Sequence, residues 1–233
     1  MIVDSKKYDK GSLSLERKAY DGLYNRVGKR IIDMIITGIA LLFLWPFCLI
    51  IALIIVVEDG FPIFYRAERG GYKGRTFKIC KFRSMIKNAD KIGGGTTAFN
   101  DPRITKVGNF LRKTKLDELP QIGQVFIGKM SLIGPRPELL KYTEKYLGRE
   151  KEILEVRPGI TDFSSIEFIN LDEIVGTENA DEMYEKYVLD KKNELRIKYA
   201  YEVSLRTDMY ILFKTIGAVF NKAFGFIVKK EHR

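Results

Sequence analysis

Residues 31–57 read IIDMIITGIALLFLWPFCLIIALIIVV, and the placement of this run decides the fold. No charge interrupts it after Asp33, so a buried helix of a water-soluble core is the weakest reading. As one straight helix it would reach roughly 40 Å, enough to cross a hydrocarbon core of about 30 Å. Length alone therefore predicts a membrane span. Pro46 stands near its middle, where a proline removes a backbone donor and clashes with the preceding turn, at about 3 kcal/mol in an unbroken helix. The two halves, residues 31–45 and 47–57, would be about 22 and 17 Å long, and neither crosses alone. Arg26, Lys29 and Arg30 precede the run, while Arg66, Arg69, Lys73, Arg75, Lys78, Lys81 and Arg83 follow it. Basic flanks collect on the cytoplasmic side, so two of them fit two cytoplasmic ends. The run is read as a helix, a break at Pro46 and a second helix that returns to the same face. A Pro-kinked span is the competing reading.

Composition limits what surrounds this element. The chain has 233 residues, of which 45% are hydrophobic, enough for one medium domain, or a domain plus a membrane element. A net charge of +10 favours anionic partners: phosphates, nucleotides, nucleic acid or an acidic membrane surface. The only histidine is His232, beside the C-terminus, which argues against Ser-His-Asp, Cys-His and His-ligated zinc chemistry. A nucleophile, base or metal ligand should therefore be a carboxylate. Cys48 lies in the apolar run and Cys80 in KICKF; neither suggests a disulfide framework or a metal knuckle, and a reducing cytoplasmic setting fits.

Residues 1–30 are polar and basic, and no short apolar region with a cleavage site marks a signal peptide there. Beyond the membrane element, PIFYRAER, GGYKG and RTFKICKFRSM predict two strands around a glycine-rich turn. IKNADKIGGGTTAFN starts helical and ends in Gly93-Gly94-Gly95; no Gly-Lys-Ser/Thr follows, so it is a loop and not a Walker motif. Ile104, Val107, Phe110 and Leu111 predict a short amphipathic helix. Near the end, Met209, Leu212, Phe213, Ile216, Val219, Phe220 and Phe224 recur at helical spacing over residues 191–228, a pattern shared by a core helix and an interfacial membrane helix. The expected fold is α+β, a mostly helical membrane-associated domain with a small β-hairpin. Its expected divisions are 1–30, the re-entrant element 31–57, a catalytic domain 58–175 and a helical segment 176–233.

KTKLDELPQ, residues 113–121, sets Asp117 beside Glu118 with Pro120 two places on. The purely structural reading is a helix start: Asp117 caps free amides, Pro120 occupies the first turn and Gly128 ends the helix. The chemical reading draws on the neighbours, Arg112, Lys113 and Lys115 before the pair and Lys129 and Arg136 after it. A carboxylate can attack phosphorus once cations neutralise the phosphate oxygens, and a second carboxylate can hold Mg²⁺. Lys81 and Arg83 of KFRSM add further phosphate-binding candidates, which otherwise form a solvated strand face.

KRIIDMIITGIALLFLWP, PIFYRAERGGYKGRTFKICKFRSM, DPRITKVGNFLRKTKLDELPQIGQVFIGKMSLIGPRPE and RPGIT resemble, in order and spacing, the bacterial sugar transferases. These are the monotopic polyprenyl-phosphate phosphoglycosyl transferases, and the likeness covers roughly residues 26–165. In length the chain looks like the small, catalytic-core members. The resemblance implies transfer of a sugar-1-phosphate from a UDP-sugar to undecaprenyl phosphate with release of UMP, on the cytoplasmic face of a bacterial inner membrane. It also implies Asp117 as the nucleophile of a phosphosugar-enzyme intermediate, Glu118 as the residue that assists Mg²⁺ with Asp117, and Arg112 and Arg136 near the phosphates. Membrane lipids are then partners, nucleic acid is not, and family analogy allows a homodimer. Trp45 precedes Pro46 where the family commonly has serine, which removes a hydroxyl able to satisfy a freed carbonyl. Two rivals remain: a membrane-associated hydrolase that gives the phospho-enzyme to water, and a non-catalytic membrane-docking protein whose acid pair only caps a helix.

Overall fold

The computed structural model describes residues 18–231 apart from residues 93 and 99, without the side chains of Asp90, Lys91 and residues 223–231. Most of the basic segment 1–30, together with Gly93, His232 and the side chains of Phe224, Lys229 and Lys230, therefore lies outside the description. Helices α1 (Lys29–Asp59), α2 (Ala89–Ile92), α3 (Lys106–Thr114), α4 (Pro120–Phe126), α5 (Leu140–Thr143), α6 (Phe163–Glu167), α7 (Leu171–Val175), α8 (Ala180–Tyr187), α9 (Leu189–Glu202) and α10 (Leu205–Glu231) make up more than half of the described residues. Strands β1 (Phe64–Gly70) and β2 (Thr76–Phe82) form the expected antiparallel hairpin, in register from Phe64 against Phe82 to Gly70 against Thr76. A parallel pair, β3 (Ser131–Ile133) and β4 (Gly159–Thr161), was not expected.

The apolar run departs from its reading at one point. Helical structure continues from Lys29 to Asp59 with Pro46 inside it, so the expected break is absent. Proline removes one donor and crowds one turn; the surrounding apolar residues offer no competing polar partner, and Trp45 has no hydroxyl with which to rewire the backbone, so the remaining ladder persists. At 31 residues, α1 would be about 46 Å long if straight.

Both ends of α1 are fastened to the same folded body. At its start Lys29 pairs with Asp208, and Arg30 donates to the carbonyls of Val125 and Phe126 at 2.6 Å each. Asp33 accepts from the Ser131 hydroxyl at 2.7 Å. At its end Ile51 and Ile55 pack with Phe82 and Leu111, Glu58 accepts from the Val107 amide at 3.0 Å, and Asp59 pairs with Arg83 at 2.9 Å. Between these anchors Leu42, Phe43, Trp45 and Phe47 stand 59–72% exposed.

The C-terminal helices share the core of the rest. Tyr199, Ala200, Val203 and Ile211 pack with Tyr20, Ile133 and Val156, and Tyr184 and Val188 pack with Tyr142 and Val175. The helical pattern over 191–228 divides between α9 and α10; α10 buries Asp208 and Ile211 while leaving Phe213, Ile216 and Phe220 exposed. One helix thus has both a core face and a solvent-exposed apolar face.

Candidate active site

The acid pair sits on a single tight turn, Leu116–Glu118, between α3 and α4. Lys115 makes the turn by adopting the left-handed conformation, φ 61°, a strained state for a non-glycine residue at about 1 kcal/mol or more. Leu116 and Leu119, which flank the pair, pack with Ile51, Ile55, Phe82 and Leu111. The far half of α1 therefore holds the turn by its apolar residues. Asp117 and Glu118 are 4% and 8% exposed, and neighbouring side chains in such a turn diverge by about 120°.

Helix capping does not account for Asp117. The residue preceding α4 is Leu119, which makes no side-chain cap, and Oδ1 of Asp117 is buried with no hydrogen-bond partner among the described residues. The expectation fails because the turn, and not α4, contains the acid pair; α4 begins at Pro120, whose nitrogen needs no partner. Gly128 does end the helix as expected, with φ +84° and its amide donating to the Val125 carbonyl at 2.9 Å.

Glu118 is held from two other elements. Lys81 on β2 reaches its Oε1 at 3.0 Å, and Arg136 donates to the same oxygen. Arg136 is fixed in turn: its Nη1 donates to the Ile160 carbonyl at 2.7 Å and its amide to Asp162 at 3.2 Å. The parallel pair β3–β4 makes this possible, because Gly134 and Gly159 let the backbones approach closely: a Cβ on Gly159 would collide with Gly134, and one on Gly134 with the Arg157 carbonyl. Asp162 is itself locked as the cap of α6, accepting from the Ser165 amide at 2.7 Å.

The two acids are tuned in opposite directions. Burial pushes the Asp117 carboxyl up, against the pull of Lys81. Burial also works against the charge of Glu118, but Arg136, Lys81 and Lys115 more than offset it and hold that carboxyl well below the usual range. Arg112, on α3, adds to the positive field at Asp117 and donates to the Thr97 hydroxyl at 2.7 Å. One acid is thus a fixed anion, and the other a desolvated carboxylate with a free oxygen.

Of the residues expected at the site, Asp117, Glu118, Lys81, Arg112 and Arg136 come together. Arg83 does not join them: it is buried and donates to the carbonyls of Asp59 and Gly60 at 3.0 and 2.6 Å, closing the end of α1. Pro46 lies in the exposed stretch of that helix. Lys115, read from the sequence as a basic neighbour of the pair, lies beside both acids. Two residues escaped the sequence reading: Asp162 positions Arg136, and only its place after RPGIT hints at it; Gln121 is 1% exposed with neither side-chain atom bonded.

No group of three or more His, Cys, Asp or Glu residues that could hold a metal occurs among the described residues. A two-carboxylate site still fits Mg²⁺, which takes hard oxygens, keeps several waters and binds through one or two carboxylates plus substrate phosphates. The unpartnered Oδ1 of Asp117 is such a donor.

The profile of the bacterial sugar transferase family matches residues 24–222. The chain belongs to that family. Over 208 residues it is 37% identical to the UDP-glucose:undecaprenyl-phosphate glucose-1-phosphate transferase of Escherichia coli, covering 85% of this chain and 42% of that protein. It is 35% identical to the exopolysaccharide production protein ExoY of Sinorhizobium fredii, covering 83% of this chain and 85% of that one, and 35% identical to the galactosyl transferase CpsE of Streptococcus agalactiae over 94% of this chain and 45% of that one. The chain thus spans less than half the length of the E. coli and S. agalactiae relatives but most of ExoY. The match to this sugar transferase family spans both anchored ends of α1, the acid turn and most of α10.

Proposed function

We propose that this protein is a Mg²⁺-dependent phosphoglycosyl transferase that moves a sugar-1-phosphate from a UDP-sugar to undecaprenyl phosphate, an early membrane step of bacterial glycan synthesis. The observation that carries the reading is the buried Asp117 carboxylate with a free oxygen, set against a Glu118 already neutralised by Lys81 and Arg136. A desolvated carboxylate is a better nucleophile than a hydrated one, and fixed cations stabilise charge developing on phosphoryl oxygens.

In the first step an oxygen of Asp117 attacks the phosphorus that bears the sugar. The P–O bond to the nucleoside phosphate breaks, UMP leaves with the electron pair, and an acyl phosphate joins the sugar phosphate to Asp117. A phosphate oxygen of undecaprenyl phosphate then attacks the same phosphorus, Asp117 departs as a carboxylate, and the lipid diphosphate sugar forms. Arg136, Arg112 and Lys81 orient and neutralise the phosphates. Mg²⁺, held by Asp117 and Glu118, would supply further charge neutralisation at the phosphoryl oxygens.

The same reading places α1 in the cytoplasmic leaflet of the inner membrane. An ordinary span puts its ends on opposite faces, whereas both ends of α1 dock on one body, exposed apolar side chains run from Ile31 to Val57, and no residue is buried between Thr37 and Ile51. The apolar face of α10 would lie at the same surface, and a homodimer is compatible with it.

The test uses UDP-glucose and UDP-galactose labelled with ³²P in the β-position, with Mg²⁺ and no lipid. Label retained on the protein with matching UMP release supports the covalent route; equal labelling of Asp117→Asn would remove Asp117 as nucleophile. A hydrolase would instead release sugar phosphate without polyprenyl phosphate. For topology, single cysteines at Lys18 and Arg75, both exposed, should resist an impermeant reagent in intact cells; labelling of either overturns the one-sided placement.

A further inference from the structure

Two glutamines three residues apart on α4 are both buried, Gln121 at 1% and Gln124 at 9% exposure. Their side chains meet opposite fates. Gln124 accepts from the Cys80 amide at 2.8 Å and donates to the Lys78 carbonyl at 2.7 Å, so its carboxamide completes the edge of β2 and ties α4 to the hairpin. Gln121 makes no hydrogen bond through either Oε1 or Nε2, and both atoms are shielded from solvent.

Buried amides are normally satisfied, and an exception calls for a specific partner. Gln121 follows Asp117 by four residues, across the junction where the tight turn runs through the helical Leu119 into α4, so the two side chains leave one segment about a turn apart. The free oxygen of Asp117 and the free carboxamide of Gln121 are therefore two unpaired polar groups on one short segment. Most other buried polar groups nearby are engaged: Glu118 by Lys81 and Arg136, Gln124 by β2, Asp162 by Arg136 and the start of α6.

We infer that Gln121 binds the transferred group, its Nε2 donating to an oxygen of the phosphoryl group at Asp117 and its Oε1 accepting from a hydroxyl of the attached sugar. This rests on the proposed phosphoglycosyl transfer and adds a ligand residue to it. A carboxamide suits the task because it offers donor and acceptor side by side without adding charge to a site where Lys81, Lys115 and Arg136 already surround Glu118. A third ammonium would trap the phosphoryl group; an amide holds it for the second transfer.

The experiment compares the full chain with Gln121→Met and Gln124→Met, both of similar volume, in detergent. Gln124→Met should melt lower than wild type, since it strips two bonds from the hairpin edge, whereas Gln121→Met should melt at or above wild type. Inorganic diphosphate with Mg²⁺ should raise the wild-type melting temperature, and Gln121→Met should lose at least half of that shift. Labelling from β-³²P UDP-glucose or UDP-galactose should slow at least ten-fold in Gln121→Met. If Gln121→Met melts as low as Gln124→Met, the amide already has a partner in the free protein, such as a trapped water, and the inference fails; an undiminished diphosphate shift or wild-type labelling also overturns it. If wild type takes no label but keeps a Gln121-dependent diphosphate shift, the transfer reading fails and the phosphate-binding role of Gln121 stands.

Discussion

Two buried charge clusters lie on either side of one short segment, Pro135-Arg136-Pro137-Glu138, and they are built differently. Around Glu138 the polar atoms find partners: Arg196 donates to its Oε2 at 2.9 Å, Tyr184 donates to the same oxygen, and the Leu139 amide reaches Oε1 at 3.0 Å. Arg196 continues to Asn193 at 3.0 Å and Asn193 to Glu150 at 2.9 Å; its Nε alone in this group lacks a partner. Around Arg136 the pairing is partial, since Glu118 is paired through Oε1 alone while Asp117 keeps a buried free oxygen. An unpaired buried polar atom costs about 1–3 kcal/mol. The difference separates a cluster that holds the fold from one held ready for a ligand.

The largest expected effect breaks the second cluster at its free member. Asp117→Asn should reduce transfer by about 10⁴-fold or more, as loss of a nucleophile does, while its melting temperature stays equal or rises. The sign follows from burial: the folded-state pKa of Asp117 is raised, so its ionised form costs stability at every pH above the unfolded carboxylate value, and the amide removes that cost. The acid limb of kcat/KM should accordingly fall at a pH above the ordinary aspartate value of about 3.9. A melting temperature that drops with Asp117→Asn would mean that the carboxylate has a stabilising partner.

The first cluster should respond in the opposite sense. Arg196→Met leaves Glu138 buried without its cation and should cost about 3–5 kcal/mol in thermal or denaturant unfolding. A loss below about 1 kcal/mol would show that the network is not structural. Glu118→Gln stands between the two: it should lower stability at neutral pH by stripping Lys81 and Arg136 of their anion. Because the folded pKa of Glu118 is depressed, its contribution is present above the unfolded value of about 4.3 and disappears as pH falls through the folded one. Melting curves of wild type and Glu118→Gln should therefore converge on acidification; parallel curves would remove the linkage.

What the sequence revealed follows from how local each feature is. The β1–β2 hairpin was legible because GGYKG separates two β-rich runs, and α3 because Val107 and Leu111 repeat at helical spacing. The acid pair and Arg136 were legible as motifs, since their chemistry is written in adjacent residues. The pairings that distinguish the clusters were not: Lys81 was named only as a phosphate-binding candidate, yet it reaches Glu118 across 37 residues, Arg196 reaches Glu138 across 58, and no periodicity records such pairings. Nor could Pro46 reveal that its helix would remain continuous, because a proline removes one donor and crowds one turn without deciding whether the rest of the ladder persists.

Arg83 provides the smallest effect and the finest division between the clusters. KFRSM suggests a phosphate ligand, yet its guanidinium closes α1 through two carbonyls and the Asp59 carboxylate. All three contacts fall on Nη2, while Nη1 is buried without a partner among the described residues; a lysine ammonium, a compact charge on a different stem, does not take the place of that planar nitrogen. Arg83→Lys should thus cost about 1–2 kcal/mol of stability, in the range for charge-assisted hydrogen bonds, while changing KM for the UDP-sugar less than two-fold. Arg136→Lys, by contrast, should raise KM or lower kcat far more than it lowers the melting temperature. A KM effect of Arg83→Lys as large as that of Arg136→Lys would return Arg83 to the phosphate site and require the end of α1 to open when the donor binds.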